Sequence, residues 1–135
     1  MQLTSRYRFV ASHRLNTAAL SVEQNAKLYG KCNNPYGHGH DYVLDVTVEG
    51  PLDSSGQIVN RAALDTLVKT QVLERVDHRD LNTEVQELQD QVTTTENLAL
   101  VIEGMLKSQW TLPASLVRVR IAETARNTFE LETEN

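Results

Sequence analysis

The sequence predicts an α+β fold, with an antiparallel sheet carrying helices on one face. Two patterns and their order predict it. Residues 2–13, 40–49 and 115–123 alternate apolar and polar side chains with the two-residue period of half-buried strands. Two stretches between the second and third of these strands repeat their apolar residues at helical spacing. Taken in order, the chain reads as two strands, two helices and two strands.

The first strand places Leu3, Ser5, Tyr7, Phe9 and Ala11 on one face, with Arg6, Arg8 and Val10 opposite. Strict alternation carries His13 onto the Phe9 face. Ser21 and Gln24 form a capping-box pair that opens a short helix toward Tyr29. A loop built on Gly30, Pro35, Gly37 and Gly39 follows. In the second strand, HDYVLDVTVE, Tyr42, Leu44, Val46 and Val48 share a face. His38 and His40 have that same parity, so a strand extended back through Gly39 aims both imidazoles one way. GPLDSSG is a turn and QIV a short strand, after which Asn60 caps a helix running to about Glu74. Leu64, Leu67, Val68 and Val72 form its inner stripe. Thr93 with Glu96 makes a second capping box, ahead of Leu98, Val101, Ile102, Met105 and Leu106 in a helix ending near Lys107. After Pro113, SLVRVRIAE puts Val117, Val119, Ile121 and Glu123 on one face and Arg118 and Arg120 on the other. Residues 124–128 form a hairpin turn, and Phe129 and Leu131 mark a closing strand. So small a sheet leaves exposed edges, which favours assembly by edge pairing.

A chain of 135 residues is long enough to bury a core, and no linker or repeat divides it, so residues 1–135 read as a single domain. The formal net charge of -5 argues against a nucleic-acid partner. Arg6, Arg8 and Arg14 could still hold a small polyphosphate. One cysteine cannot form an intramolecular disulfide, and MQLTSRYRFVASHRL lacks the apolar run of a secretory leader, so the expected location is cytoplasmic. No apolar stretch approaches the length of a membrane span.

The segment KCNNPYGHGHDY, residues 31–42, holds the lone cysteine and two of the four histidines. His13, His38 and His40 would supply three nitrogens and leave one position open, the arrangement of a catalytic zinc. The other reading of HGH is a loop with two solvated histidines. Cys32 has three possible roles: a small buried hydrophobe, a further metal ligand, or a base whose pKa is lowered by the neighbouring Lys31. In VDHRDLN, residues 76–82, Asp80 and Asn82 suit a turn, while His78 has the pKa for a proton relay with Asp77 nearby. Thr94, Thr95 and Glu96 start a helix, whose free N–H groups are also open to a ligand. Glu123 is the odd carboxylate on an apolar face. It either reaches water at the strand end or is buried, where a guanidine-like pair of ligand N–H groups would suit it.

Together ASHRL (11–15), KLYGKCNNPYGHGHDY (27–42), GQIVN (56–60), VDHRDLN (76–82), TTEN (94–97) and AET (122–124) resemble the 6-pyruvoyltetrahydropterin synthase family, in order over nearly the whole chain. The resemblance implies a tunnelling fold (T-fold), a four-stranded antiparallel sheet with two helices on one face. Three such subunits close a twelve-stranded barrel, and two trimers stack as a homohexamer with active sites between subunits. It further implies that His13, His38 and His40 bind zinc and that Cys32 is the catalytic base. Asp77 and His78, from an adjacent subunit, would relay protons; Glu123 would anchor a pterin, with Thr94, Thr95 and Glu96 lining its pocket. The implied reaction converts 7,8-dihydroneopterin triphosphate to 6-pyruvoyltetrahydropterin with loss of triphosphate, a step of tetrahydrobiopterin synthesis. Lys27, Lys31 and Arg14 are the candidates for the triphosphate.

Two alternatives accompany that reading: the 6-carboxytetrahydropterin synthases of the queuosine pathway, and a non-catalytic zinc- or pterin-binding relative. In the former the cysteine usually lies three residues before HGH, whereas NNPYG separates them here. The presence of Cys32, Asp77 and His78 together favours an enzyme over a binding protein. Relatives that make 6-hydroxymethyldihydropterin typically carry Glu in place of the cysteine. Tyr36, Asp41 and the turn ETARN depart from the family pattern and bear on the shape of the pocket.

Overall fold

The computed structural model describes residues 1–35 and 37–134. Tyr36, one of the departures named above, lies outside the described residues, as does Asn135. The four long strands are β1 (Gln2–His13), β2 (His38–Glu49), β4 (Ser115–Ala122) and β5 (Thr128–Glu132). They pair antiparallel, and a two-residue strand β3 (Arg79–Asp80) adds to β1 in parallel, giving the order β3-β1-β2-β4-β5. Helices α2 (Arg61–Val68) and α4 (Thr95–Ser108) carry most of the apolar surface that covers one face. Helix α1 (Val22–Tyr29) starts on the expected capping box, with Ser21 and Gln24 each bonded to the other's backbone N–H.

Register decides which side chains meet. Phe9 pairs with Tyr42, Ala11 with His40 and His13 with His38, so all six point to the helix-covered face. Phe9 and Tyr42 stack with ring centroids 4.9 Å apart. Leu44, Val46, Val48, Val119 and Ile121 extend that layer against Leu64, Val68, Leu98, Ile102 and Leu106. On the opposite face a single rung of three strands joins Arg6, Asp45 and Arg120.

Several elements differ from expectation, each for a local reason. QIV is not a strand. Asp53 draws the Ser55 and Gln57 N–H groups onto its carboxylate and closes a loop, leaving Val59 as a buried anchor. The helix expected to end near Glu74 continues through a π-helical turn (Lys69–Leu73) into α3 (Glu74–Val76). Leu64, Val68, Val72 and Val76 are fully buried at four-residue intervals. Such a stripe drifts by about 40° per step in a regular α-helix, and the wider turn offsets the drift. Helix α4 is capped by Thr94, which accepts the Asn97 N–H, and not by Thr93 with Glu96; Thr93 is drawn into the interior. Between β3 and α4, Leu81, Val85 and Leu88 pack inward around a 3₁₀ turn at Gln86–Leu88. Among the described residues no helix is long and apolar enough to cross a membrane.

Candidate metal centre and adjoining cavity

The end of β1 delivers His13 into the interior, 1% exposed. Its Nδ1 lies 2.8 Å from the carbonyl oxygen of Thr93. A carbonyl only accepts, so Nδ1 carries the proton, and in the neutral ring Nε2 holds a free lone pair. That buried Nε2 has no hydrogen-bond partner. A histidine fixed by one nitrogen with the other left bare is prepared for a metal ion.

Other donors converge on the same point. His40 Nε2 lies 2.7 Å from Glu123 Oε1, and His13 Nε2 lies 3.6 Å from the same oxygen. Cys32 Sγ is 3.7 Å from His40 Nε2 and 4.0 Å from Glu123 Oε1. The four donor atoms of His13, Cys32, His40 and Glu123 lie within 4.8 Å of one another, and this group is capable of binding a metal. His38 stands outside the tight group, more exposed, with its ring centroid 4.7 Å from that of His40. Strand β2 reaches back to His38, so all three imidazoles share one face, as alternation predicts.

Cys32 is held in place by its loop. It sits in a 3₁₀ turn, Gly30–Asn33, whose Cys32 carbonyl accepts the Leu15 N–H at 2.6 Å. Asn33 donates to the Leu15 carbonyl, and Arg14 Nε donates to the Asn33 carbonyl. Gly37, at φ 82°, closes the loop against β1, where a Cβ would stand 3.3 Å from the His13 carbonyl oxygen. The expectation that Lys31 lowers the thiol pKa is corrected. Lys31 points to solvent, while burial and then the Glu123 carboxylate push the thiol up. Burial likewise depresses His40, offset in part by Glu123, and this favours the neutral imidazole that binds metals.

Glu123 follows β4 on the Val119–Ile121 face, its side chain 9% exposed. The Thr95 hydroxyl and His40 hold it below the usual carboxylate range, against the opposing cost of burial; the His13 Nε2, bare of a proton and 3.6 Å away, donates nothing to it. Thr95 Oγ1 donates to its second oxygen at 2.9 Å. Beyond it opens a cavity of about 330 Å³, whose walls include Thr94, Thr95 and Glu96 from the start of α4, with Leu15 and Phe129. Glu123 thus belongs to both the metal group and the cavity. The turn residues Arg126, Asn127 and Thr128 complete the lining. Arg126 and Asn127 belong to ETARN, the departure noted in the sequence, whereas Thr128 was not singled out from it.

Other expected site residues lie elsewhere. Asp77 Oδ1 accepts the Val10 N–H at 2.9 Å and lies 3.1 Å from His78 Nδ1. His78 is exposed and adopts φ 59°, a left-handed conformation that is strained for a residue with a Cβ. No hydrogen bond, ion pair or ring contact among the described residues joins either one to Cys32. Asp80 accepts from the Asn82 N–H and the Thr83 hydroxyl, as a turn former does. Asn82 pairs with both backbone groups of Arg14. Arg14 also lines a separate polar cavity of about 400 Å³ with Asp80 and Asn82. Lys27 and Lys31 are exposed and line neither cavity.

Residues 2–134 match the model of the 6-pyruvoyl tetrahydropterin synthase family. A 6-pyruvoyl tetrahydrobiopterin synthase from Poecilia reticulata is 45% identical over 122 residues, covering 88% of this chain and 81% of its own. The Homo sapiens protein of the same name is 43% identical over 128 residues, covering 93% and 87%. The solved structure of the Caenorhabditis elegans 6-pyruvoyl tetrahydropterin synthase superposes with a TM-score of 0.92 at 36% identity, covering 99% of this chain and 96% of that one. By its sequence and by its fold, the chain belongs to the 6-pyruvoyl tetrahydropterin synthase family.

Proposed function

We propose that the protein is a zinc-dependent lyase that converts 7,8-dihydroneopterin triphosphate to 6-pyruvoyltetrahydropterin and releases triphosphate. One observation carries the reading: Glu123 stands between a metal-competent donor group and a cavity able to take a flat heterocycle. Imidazole donors suit zinc, and the bare Nε2 of buried His13 fits such an ion. His13, His38 and His40 hold it, leaving Cys32 free as a base. The ion, when bound, supplies Lewis-acid chemistry that polarises the substrate's side-chain hydroxyls and acidifies the adjoining C–H positions.

Each residue then has a stated task. Glu123, ionised and fixed by Thr95, accepts two N–H groups of the aminopyrimidinone edge and orients the ring. Thr94 and Glu96 close the wall around that edge. Cys32 takes a carbon-bound proton from the substrate side chain. His78, oriented by Asp77, returns or removes protons during the internal redox shift. The ring gains the two hydrogens that the side chain loses, so no outside oxidant or reductant is required.

Residues 1–135 act in this reading as one T-fold domain that assembles into a homohexamer through trimeric barrels. The strands β3 and β5 stand at the two sheet edges, available for pairing. Asp77 and His78 contact each other, and Cys32 contacts His40 and Glu123, with no contact joining the two groups among the described residues, which supports a site completed by a neighbouring subunit. A free thiol at Cys32 suits a reducing, cytoplasmic setting. The five residues between Cys32 and His38 favour the pyruvoyl product over the 6-carboxy one.

The test supplies purified protein with zinc and dihydroneopterin triphosphate, follows triphosphate release and identifies the pterin formed. The 6-pyruvoyl compound is the expected product. Absence of turnover in a folded, zinc-loaded protein would refute the assignment, and a 6-carboxy product would transfer it to the queuosine branch.

A further inference from the structure

We infer that Arg126 is a substrate-specificity residue, whose guanidinium reads the ring carbonyl beside the edge held by Glu123. This deepens the pterin reading above and rests on it. Arg126 is the one cation on the lining of the Glu123 cavity among the described residues. Among the described residues its side chain makes no hydrogen bond or ion pair, whereas Arg6, Arg118 and Arg120 on the strands are all bound to carboxylates.

The backbone that carries Arg126 is fixed. Glu123 N–H donates to the Asn127 carbonyl at 3.0 Å, closing the turn. Thr124 Oγ1 accepts the N–H groups of both Arg126 and Asn127 at 3.2 Å. The guanidinium therefore starts three residues from the carboxylate, on the same cavity wall, with its donors uncommitted.

The edge of a 2-amino-4-oxo heterocycle presents two donors and then an acceptor, side by side. Glu123 satisfies the two donors and can do nothing for the carbonyl oxygen next to them. A planar fork of N–H groups meets that need. Carboxylate and guanidinium together read donor, donor, acceptor. A ring bearing an amino group at the carbonyl position offers a donor to the cation and, with N3 now a bare lone pair, an acceptor to the carboxylate, and the site disfavours it on both counts.

The experiment titrates zinc-loaded wild type, Arg126→Ala and Arg126→Lys with pterin and with 2,4-diaminopteridine, followed by ligand fluorescence. Wild type is expected to prefer the oxo ring by about tenfold or more from the Arg126 hydrogen bond, beside what Glu123 gains from N3, a donor in the oxo ring and a bare lone pair in the diamino ring. Arg126→Ala should lose about tenfold for the oxo ring and nothing for the diamino ring, which removes the Arg126 share of the preference and leaves that of Glu123. Arg126→Lys should restore part of the Arg126 share. An equal loss for both rings, or no loss, overturns the inference. A second pair of ligands, dihydroneopterin and its triphosphate, should show the same fold-loss on Arg126→Ala. A loss confined to the triphosphate overturns the inference and assigns Arg126 to the phosphate tail. Glu123→Gln separates the two levels. If wild type binds pterin and Glu123→Gln does not, a neutral Arg126→Ala removes only the role of Arg126. If wild type binds neither ring, the pterin reading falls with it.

Discussion

Replacing Asp45 with Asn tests how the sheet holds the site in register. Asp45 lies on the face away from the imidazoles, 6% exposed, on the rung that joins Arg6 and Arg120. Its carboxylate accepts from Arg6 at 2.8 and 3.1 Å and from Arg120 at 3.3 Å. A hydrogen bond to a charged group contributes roughly 1.5–3 kcal/mol when well shielded. The arginine side chains are 55% and 41% exposed, so water screens both, and each pairing is worth at most about 1 kcal/mol. Asp45→Asn should therefore cost up to about 2 kcal/mol. With a urea slope of roughly 1.5 kcal/mol per molar, the midpoint should fall by up to about 1.3 M at a fixed protein concentration. The effect depends on pH with a definite sign. The Arg6 hydrogen bonds foremost, with Arg120, hold the Asp45 carboxyl below its unfolded value of about 3.9. Stabilisation is thus complete above that value and is lost as pH falls through the folded pKa. Wild type and variant should differ equally at pH 7 and pH 5.5 (both well above that value) and converge in acid. A gap as wide at pH 3 as at pH 7, or no gap at pH 7, would show that the Asp45 carboxylate does not stabilise the sheet through its arginines. Metal content should be unchanged, because the rung faces away from the donors.

Other substitutions separate holding the metal from doing chemistry. His13→Ala and His38→Ala should each lower zinc content, read by elemental analysis after dialysis. Full occupancy in His38→Ala would restrict the ligands to the tighter group of His13, Cys32, His40 and Glu123. At His78, with φ 59°, Gly should exceed Ala in urea stability by about 1 kcal/mol, the approximate cost of a Cβ in the left-handed region. Both variants should lose turnover; retained activity in either would remove His78 from the proton relay.

The sequence showed the imidazoles' common face because strand alternation is local, and alternation from Phe9 to His13 and from His38 to Tyr42 survives folding intact. The Ser21 cap was legible for the same reason, since both of its partners lie within one turn. The second cap was not. Thr93 and Thr94 are each followed three positions later by a polar residue, and the choice between them is tertiary. Thr93 is buried with its carbonyl on His13, which leaves Thr94 at the helix start. The convergence of Cys32 and Glu123, 91 residues apart, had no local signal, and neither did the burial that raises the thiol pKa. Strand β3 is too short to show a period, and its pairing depends on the position of β1.

The central claim is a division of labour in which imidazoles hold the metal and the thiol moves protons. Its most direct test is zinc content together with triphosphate release, measured on one preparation of Cys32→Ala. Full zinc occupancy is expected, with turnover lower by about 10³-fold, the scale of a lost general base. Loss of the metal along with turnover would place the thiol among the ligands and rule out its role as a free base.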